Sequence, residues 1–585
     1  MSQRETFQIV EIDLDYCTRT FGVGACLAAL GSSTPRKCYN TFGTCKYLTA
    51  YNKGTKTYTF CTATSSMPVG QNYLPFLKSV DERSGSVNIA GAQKDLKAFG
   101  TRATITAKFV DSPYNDALTD KYVLERISGA AQIDEGGYNP LDRLTFWTKL
   151  KARNRNYAGR PMRVKQCYIE NGAVTVETTR HYTITEIDGP DDSGNVSVKA
   201  KDILALADDD KAVAPKANTG YLKADVTVDE TSITLLPAGI GNIEYAASGW
   251  VVIGSEICGF TRAGDVLTLT RGQRGTVAST HSVNDVVQQT FSVRGARIDE
   301  VLYDLLVNYA QVPAAYITLA DWQEEAERWA PHLRLNADIC KPEGINALVS
   351  EMLVLGVSVW WDDVAQKIRL QVVRPVDDDP VVAITDRNNI VKITQKDNDD
   401  KRLTRVLIRF NQIDPTRALS TDNFAMQRLI IDTAAESEDN FNDVKQREIN
   451  CRWLNDGNSS LARISAKRIL QRFSSNPAEF EITLDHKDDI LSLVDVVSLS
   501  SRVAADESGK PVTLLMQVTD RNGVMAGHQF KIGAQLFEYT KRYAYFTENT
   551  RPVYGSSTEA QKLRGAYWSD AGANFSDGRP TFSFA

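Results

Sequence analysis

The sequence predicts an α+β chain, rich in β structure and divided into several domains. Three observations carry this reading. A length of 585 residues exceeds what one hydrophobic core serves, so roughly three to five domains are expected. Short runs that alternate apolar with polar or β-branched residues recur between Gly- and Ser-containing turns at 46–110 and again at 221–291. Apolar residues at helical spacing appear further along, at 301–309, 345–355 and 461–473.

Taken in order, "TKTYTFC", "GSVNIAG" and "GTRATITAKFV" read as strands, followed by a short helix, an "AGRP" turn and a strand within "DRLTFWTKLKARNRNYAGRPMRVKQCYIENGAV". "KDILALADDDKAVAPKANTG" reads as a linker because Asp208, Asp209, Asp210 and Pro215 interrupt the pattern. "KADVTVD", "SITLLPA", "GWVVIGSEICGFT" and "DVLTLTRG" are expected strands of a small barrel or sandwich, with "RAGD" turning one hairpin. Val301, Leu302, Leu305, Leu306 and Tyr309 share a helical face, as do Ile345, Leu348, Met352 and Leu355 before Gly356 as C-cap. A hairpin from "VSVWWDD" to "IRLQVV" places Trp360 and Trp361 on opposite sides of one strand, one for the core and one for a subunit contact. "LTRVLIRFNQID" and "AMQRLIIDTA" are strands. The helix "NSSLARISAKRILQRFSS" then presents Leu461, Ile464, Leu470 and Phe473 to the strands "AEFEITLDHK" and "LVDVVSLSS". The last segment, rich in Gly, Ser and aromatics without a period, reads as an extended arm that orders on a partner, or as free disorder. The expected units are therefore a Cys-rich lobe at 1–65, a β-rich domain at 66–204, a small β-barrel or sandwich insertion at 205–292, an α/β domain at 293–384, a second β domain with a helix at 385–548, and a C-terminal arm at 549–585.

Composition excludes several functions. Hydrophobic residues make up 42% and charged residues 24%, without charge blocks, so a globular chain is expected. A net charge of -6 and the lack of a basic stripe argue against sequence-specific nucleic-acid binding. "MSQRETFQIVEIDLDY" has no signal-peptide pattern, and no run of eighteen apolar residues occurs; folding in a cytosol and no membrane span are expected. The usual catalytic fingerprints are missing from the sequence, and His181, His281, His332, His486 and His528 are scattered, so a non-enzymatic protein is expected. "RGQRGT" lacks the Lys-Ser/Thr of a phosphate loop and reads as a turn built on Gly272 and Gly275; the acidic clusters at 208–210 and 377–379 read as solvated linkers.

The cysteines stand out. Cys17, Cys26, Cys38 and Cys45, in the pattern C-x8-C-x11-C-x6-C, are four of nine, and in a reducing compartment clustered thiols favour metal over disulfides. The spacing is too wide for a zinc ribbon and differs from the ferredoxin run. "CTRTFGVGAC" and "CYNTFGTC" each place an aromatic and Gly between two cysteines, so two similar turns could each offer two thiolates to one site. Spacing alone leaves a [4Fe-4S] cluster, zinc and chance open.

"C-x3-FG-x2-C" followed by "KCYNTFGTCK" resembles the cysteine-rich C-terminal domain of the minor tail protein L of phage lambda and related tail tip proteins, which hold a [4Fe-4S] cluster. The resemblance assigns Cys17, Cys26, Cys38 and Cys45 as its ligands, with zinc as the alternative, and leaves Cys61 as a spare. The remainder resembles siphophage tail or baseplate hubs, the class of the lambda J protein and the hubs of gene transfer agents. "FWTKLKARNRNYAGRP", "SGWVVIGSEICGFTRAGDVLTLTRGQRGT", the unit from "IDEVLYDLL" to "IRLQVVRP", "REINCRWL", "LARISAKRIL" and "DVVSLSS" carry that likeness over most of 1–545. Such hubs usually carry Gly-Asp before the last two valines; here Val494 precedes Asp495, which leaves that turn's geometry open.

The resemblance implies a structural virion protein at the tail tip, assembled in the bacterial host cytoplasm. Three copies would close the tail tube, with tail-tube-like β-domains at 66–204 and 385–548 forming a ring of pseudo-sixfold symmetry. It implies roles in tail assembly and DNA delivery, and as partners the distal tail or tail tube protein, the tape measure protein, and central fibre or receptor-binding proteins. The alternative, an iron-sulfur redox enzyme, needs a second cofactor or substrate site. No flavin or nucleotide fingerprint and no C-x3-C-x2-C accompany the cysteines.

Overall fold

A computed structural model of the chain describes residues 5–63, 72–83, 85–91, 99–133, 138–374, 376, 379–396, 399–439, 442–455, 457, 459–474, 478–506, 508–525, 528–536, 542–544, 552–563, 567, 575–577, 579 and 582–584. The architecture is β-rich, with several sheets and a few helices.

Strands Glu5–Cys17, Lys53–Thr62, Leu74–Arg83, Thr104–Val110, Asn195–Lys201, Ala173–Asp188 and Pro161–Glu170 close, in that spatial order, into a barrel. Period-two alternation explains the first strand. Val10, Ile12 and Leu14 enter the barrel core beside Phe60, Phe109 and Trp147, while Phe7 and Ile9 pack on the other face against Cys61 and Cys167. Further along that outer face Glu11 and Asp13 pair with Arg163, and Glu11 also with Lys165. The helix Phe146–Arg153 fills the core with Phe146, Trp147 and Leu150. The lobe expected at 1–65 is thus not a separate domain. Residues 5–17 and 53–62 are barrel strands, and only the connection between them leaves the barrel. "GSVNIAG" also differs: only Gly85–Ser86 is strand, pairing with Asp520 and Arg521 of a second sheet.

That second sheet runs Val381–Thr385, Val496–Ala505, Pro511–Met525, Gln529–Leu536, Glu479–Asp485, Ile390–Lys396. It has its own core, including Ile384, Phe480, Ile482, Val497, Leu499 and Phe530. A polar network joins it to the barrel. Asp489 accepts from Thr178 Oγ1 (2.8 Å) and Arg180 Nη2 (3.0 Å) of the barrel and from Arg521 of the sheet. Arg180 reaches Asp363 at 2.6 Å and Arg521 reaches Glu82 at 2.5 Å. Both guanidiniums and Asp489 are buried.

The α/β region has one continuous core that crosses the expected boundaries at 293 and 384. Ile298, Leu302, Leu306, Ile345, Leu348 and Met352 share it with Val406, Ile408 and Phe410 of strand Arg405–Gln412 and with the helix Ser459–Phe473. Ile203, Leu204, Ala207, Ala212 and Ala214 lie in the same core, so the stretch read as a linker is packed on both sides of the acidic cluster, while Asp208, Asp209 and Asp210 themselves are exposed, as expected. Asp208 pairs with Arg102, and Asp379 of the second acidic cluster pairs with Arg374; residues 377 and 378 lie outside the described residues. The helix Ser459–Phe473 lies against strands Arg405–Gln412 and Phe424–Ile431, not against the strands expected, and buries Leu461, Ala462, Ser465, Ala466, Ile469, Leu470 and Phe473. Ile464 sits at the margin of that face, because small residues at i, i+4 spacing allow a close approach. Trp361 is buried, its Nε1 donating to the His181 carbonyl at 3.0 Å, while Trp360 is half-buried.

Asp202 enters this core at 6% exposure. Burial, against Arg102 and the Ala103 N–H, pushes its carboxyl from 3.8 up to about 6. Between those values the folded form holds a proton that the unfolded chain has lost, so the group's stabilising contribution is full below about pH 4 and lost as pH rises through 6. Asp202→Asn is expected to raise stability at pH 7.5 by on the order of 2 kcal/mol and to lose that advantage toward pH 4.5. Calorimetry at both pH values checks this; an equal effect at each would contradict it.

Val494 takes φ +71°, where the resembled hubs have glycine. Its N–H donates to the Val518 carbonyl at 2.8 Å, so pairing with the sheet fixes the conformation despite the β-branched side chain. Val494→Gly should therefore cost about 1–2 kcal/mol less than Val497→Gly, which removes a valine from ordinary strand backbone. Urea titration of both variants measures the difference.

Residues 221–289 form a six-stranded sheet around Leu222, Leu235, Val251, Cys258, Phe260 and Leu267. Its first and last strands are drawn together by a bridge between Tyr221 and Val286. "KADVTVD" is not a strand here; Val226 makes only an isolated bridge to His281. At the C-terminal end, Tyr554 stacks on Phe575 at 4.0 Å and meets Tyr567 edge-on, so these described residues fold back on one another instead of extending; most of 564–581 lies outside the described residues. Among the described residues no helix is long and apolar enough to cross a membrane.

Candidate metal centre

Cys17 ends the first barrel strand, and the chain then leaves the barrel until Lys53, with which Cys17 pairs. The intervening loop carries Cys26 in a turn closed by its N–H to the Val23 carbonyl, and Cys45 after the short helical turn Phe42–Thr44. Regular structure is sparse, and the loop is held from outside by the segment between the barrel strand ending at Val110 and the helix starting at Phe146. Phe21 N–H donates to Tyr122 Oη at 2.7 Å, Lys37 N–H to the Ala131 carbonyl at 2.8 Å, and Ile133 N–H to the Pro35 carbonyl at 2.9 Å. Phe21, Ala28, Tyr122 and Ala131 make a small core on which Cys26 and Cys38 lean.

Two buried ion pairs underlie this. Arg126 donates through Nε to Asp120 at 2.6 Å, and Arg153 through Nη2 to Asp116 at 2.8 Å, with Lys149 also on Asp116. The Tyr39 ring lies between the two guanidiniums, 3.9 Å from that of Arg126 and 4.1 Å from that of Arg153. Arg126 Nη2 also holds the carbonyls of Lys37 (3.1 Å) and Cys38 (2.9 Å). Nothing in local spacing marks these residues as supports of the loop; the Arg126 bonds to carbonyls at 37 and 38, far back along the chain, do.

Cys17, Cys26, Cys38 and Cys45 lie near enough to one another for Cys38 to sense the charge of the other three. Burial first of all pushes the Cys38 thiol above its ordinary value; the Asn40 N–H opposes this, and the fields of Cys45, Cys26 and Cys17 add to it. Cys45 is raised in the same way, by burial, against the Tyr47 N–H, with Cys17 and Cys26 adding. Three of the sulfurs thus face backbone amides: Cys38 that of Asn40, Cys45 that of Tyr47, and Cys17 that of Asn52 at 3.5 Å. At Cys38 and Cys45 these amides oppose the effect of burial without reversing it. Among the described residues no group of three or more His, Cys, Asp or Glu is placed to hold a single metal ion. A tetrahedral zinc site would bring its sulfurs within about 4 Å of one another.

The two similar turns do not fold alike. Phe21 is buried, whereas Phe42 is half exposed and meets Tyr51 edge-on at 5.3 Å. Gly22 takes φ +72°, while Gly43 stays out of the left-handed region. Cys61 pairs with Ile9, eight strand positions from Lys53, which places it about 26 Å from Cys17 along the hairpin. Cys61, Cys167, Cys258, Cys340 and Cys451 are all buried in cores.

The "RGQRGT" turn is a structural device. Glu256, fully buried, accepts two bonds of 2.8 Å from Arg271, the N–H groups of Gly272 (2.8 Å) and Ser279 (3.0 Å), and His281 Nε2 at 2.8 Å. Burial works against its charge, yet these donors hold the carboxyl well below the usual range. An internal carboxylate therefore uses the donors that a phosphate would need.

No protein-family model matches the chain, and no curated protein matches it. Solved structures similar to it include the tail protein from Neisseria meningitidis MC58, at 9% identity over 80% of this chain and 94% of that one, with a TM-score of 0.34. The 43 kDa tail protein of prophage MuSo2 from Shewanella oneidensis aligns at 9% identity over 80% and 96% of the two chains (TM-score 0.33). Prophage tail protein gp18 from Listeria monocytogenes EGD-e aligns at 8% identity over 79% and 90% (TM-score 0.32).

Proposed function

We propose that this chain is a structural protein of a bacteriophage tail, a hub at the tail tip that closes the tail tube in three copies and anchors fibre or receptor-binding proteins. The observation that carries the reading is the junction at Asp489, which locks a closed β-barrel and a second β-sheet into one body. Three such chains supply six β-domains, the number that a hexameric tube presents. The sequence resemblance to siphophage hubs supports the same reading. A net charge of -6 suits a lumen that lets DNA pass without gripping phosphates. The neighbours in this reading are the tail tube or distal tail protein and the tape measure protein.

Within this reading Cys17, Cys26, Cys38 and Cys45 hold a [4Fe-4S] cluster. The support is a donor set of four neighbouring thiols, three of which face backbone amides. When bound, such a cluster would cross-link a loop that has little core of its own. The chain's residues do the rest: Arg126 and Tyr122 tether the loop to the 111–145 segment, and Asn40 and Tyr47 direct amides at sulfur.

Electron microscopy of the assembled tail, with this chain located by a fused tag, tests the function. Three copies at the tip are expected. Six copies, one copy, or absence from the particle would overturn it.

A further inference from the structure

Asn40 lies between two of the cysteines, bonded to the backbone of Cys17 and facing the sulfur of Cys38. Its side-chain Nδ2 donates to the carbonyls of Cys17 (3.0 Å) and Arg19 (2.8 Å). Its own carbonyl accepts the Cys17 N–H at 2.7 Å, and its own N–H faces the Cys38 sulfur. Asn40 is 1% exposed and takes φ +56°. No other residue of the loop bonds to the backbone of one cysteine and faces the sulfur of another, among the bonds of the described residues.

Each part of the residue has a separate task. The left-handed backbone turns the Asn40 N–H back toward Cys38, a conformation that asparagine and glycine tolerate better than other residues. The amide side chain, by contrast, makes the bridge to Cys17 and Arg19 and also reaches Tyr122. A carboxylate of the same size would place an acceptor against two acceptors.

We infer that Asn40 is a positioning residue of the cysteine site, fixing the Cys17 segment against the Cys38 segment so that their thiols address one centre. This rests on the four-thiolate reading above. Outer partners that orient metal ligands commonly account for about 10- to 100-fold in affinity, and Asn40 orients two ligands at once.

The test uses the full chain, purified without oxygen and reconstituted with ferrous iron and sulfide. Iron and sulfide content, the rate of iron loss to a chelator, and the electron paramagnetic resonance signature of the reduced protein are measured for wild type, Asn40→Gly and Asn40→Asp. Glycine keeps the backbone and its N–H and removes the side-chain bridge together with its contact to Tyr122; aspartate keeps the size and reverses the donor. Both variants are expected to lose iron about 10- to 100-fold faster than wild type, with an altered signature for whatever cluster Asn40→Gly retains. Circular dichroism of the barrel should stay unchanged. Wild-type rates and signature in Asn40→Gly would overturn the bridge as the positioning element, leaving the cluster reading intact. A wild-type protein without iron and sulfide would overturn both.

Discussion

Asp489→Ala is expected to destabilise the junction between the barrel and the second sheet by about 3–5 kcal/mol. The carboxylate accepts from Thr178, Arg180 and Arg521, and the Arg180 Nη2 also reaches the Asp489 carbonyl at 2.6 Å. Removing it leaves two buried guanidiniums facing each other, with only Asp363 and Glu82 to compensate from the sides. Burial opposes ionisation of Asp489, but Arg521, Arg180 and His486 outweigh it and hold the carboxyl well below the ordinary 3.8. Its contribution is therefore present above pH 3.8 and lost as pH falls through the folded value, so the wild type should gain on the variant as pH rises from acid to neutral. Calorimetry should show one transition in wild type and two in Asp489→Ala, as the barrel and the sheet uncouple. A single transition displaced by less than about 1 kcal/mol would show that the junction contributes little. Exchanging Asp489, Arg180 and Arg521 together for apolar residues, with Asp363→Asn and Glu82→Gln, should cost less than Asp489→Ala alone, because no unpaired charge then stays buried.

Replacing any one of Cys17, Cys26, Cys38 or Cys45 with Ser is expected to abolish iron and sulfide binding, while the other five cysteines tolerate Ser with full iron. Loss of one thiolate removes a ligand whose bond energy also orders the loop. Cys61 is the informative control: it lies on the same hairpin as Cys17, about 26 Å along it, and packs with Phe7, Ile9, Cys167 and Ile169. Its replacement should cost on the order of 1 kcal/mol in stability and no iron. Iron and acid-labile sulfide are assayed on all nine variants expressed without oxygen. Full iron in Cys38→Ser, or zinc without sulfide in wild type, would refute the assignment. The loop's underpinning adds a further expectation. Because Arg126–Asp120 and Arg153–Asp116 are buried pairs that need no cofactor, the barrel should keep its fold when iron is lost.

Much of the fold was legible because its signals are local. The alternation in "TKTYTFC" sends Tyr58 and Phe60 into the barrel, and helical spacing places Ile345, Leu348, Met352 and Leu355 in a core before Gly356, which takes φ +100°. Other readings failed where a local signal was outvoted by distant contacts. Asp208–Asp210 are exposed as expected, yet the stretch is not a linker, because Ile203, Leu204, Ala212 and Ala214 around them complete the α/β core. "KADVTVD" alternates like a strand, but has only a bridge at Val226, since neighbouring positions find no continuous partner. The four cysteines could be read as a group, whereas Asn40 and Arg126, an ordinary asparagine and arginine in the sequence, carry no pattern that announces their tasks.

By itself, then, the sequence determined the β-rich class, the helices around 301–309, 345–353 and 461–473, most strands of the 221–289 sheet, and the clustering of Cys17, Cys26, Cys38 and Cys45 along the chain, because periodicity and residue spacing act within a few turns of chain. Only the tertiary structure decided that the first and third of those cysteines are bridged by Asn40, that the loop rests on residues near 120–133, and that Asp489 fastens the barrel to the second sheet. These are pairings of buried polar groups over long sequence separations, and burial makes each partner obligatory while leaving its position along the chain unconstrained.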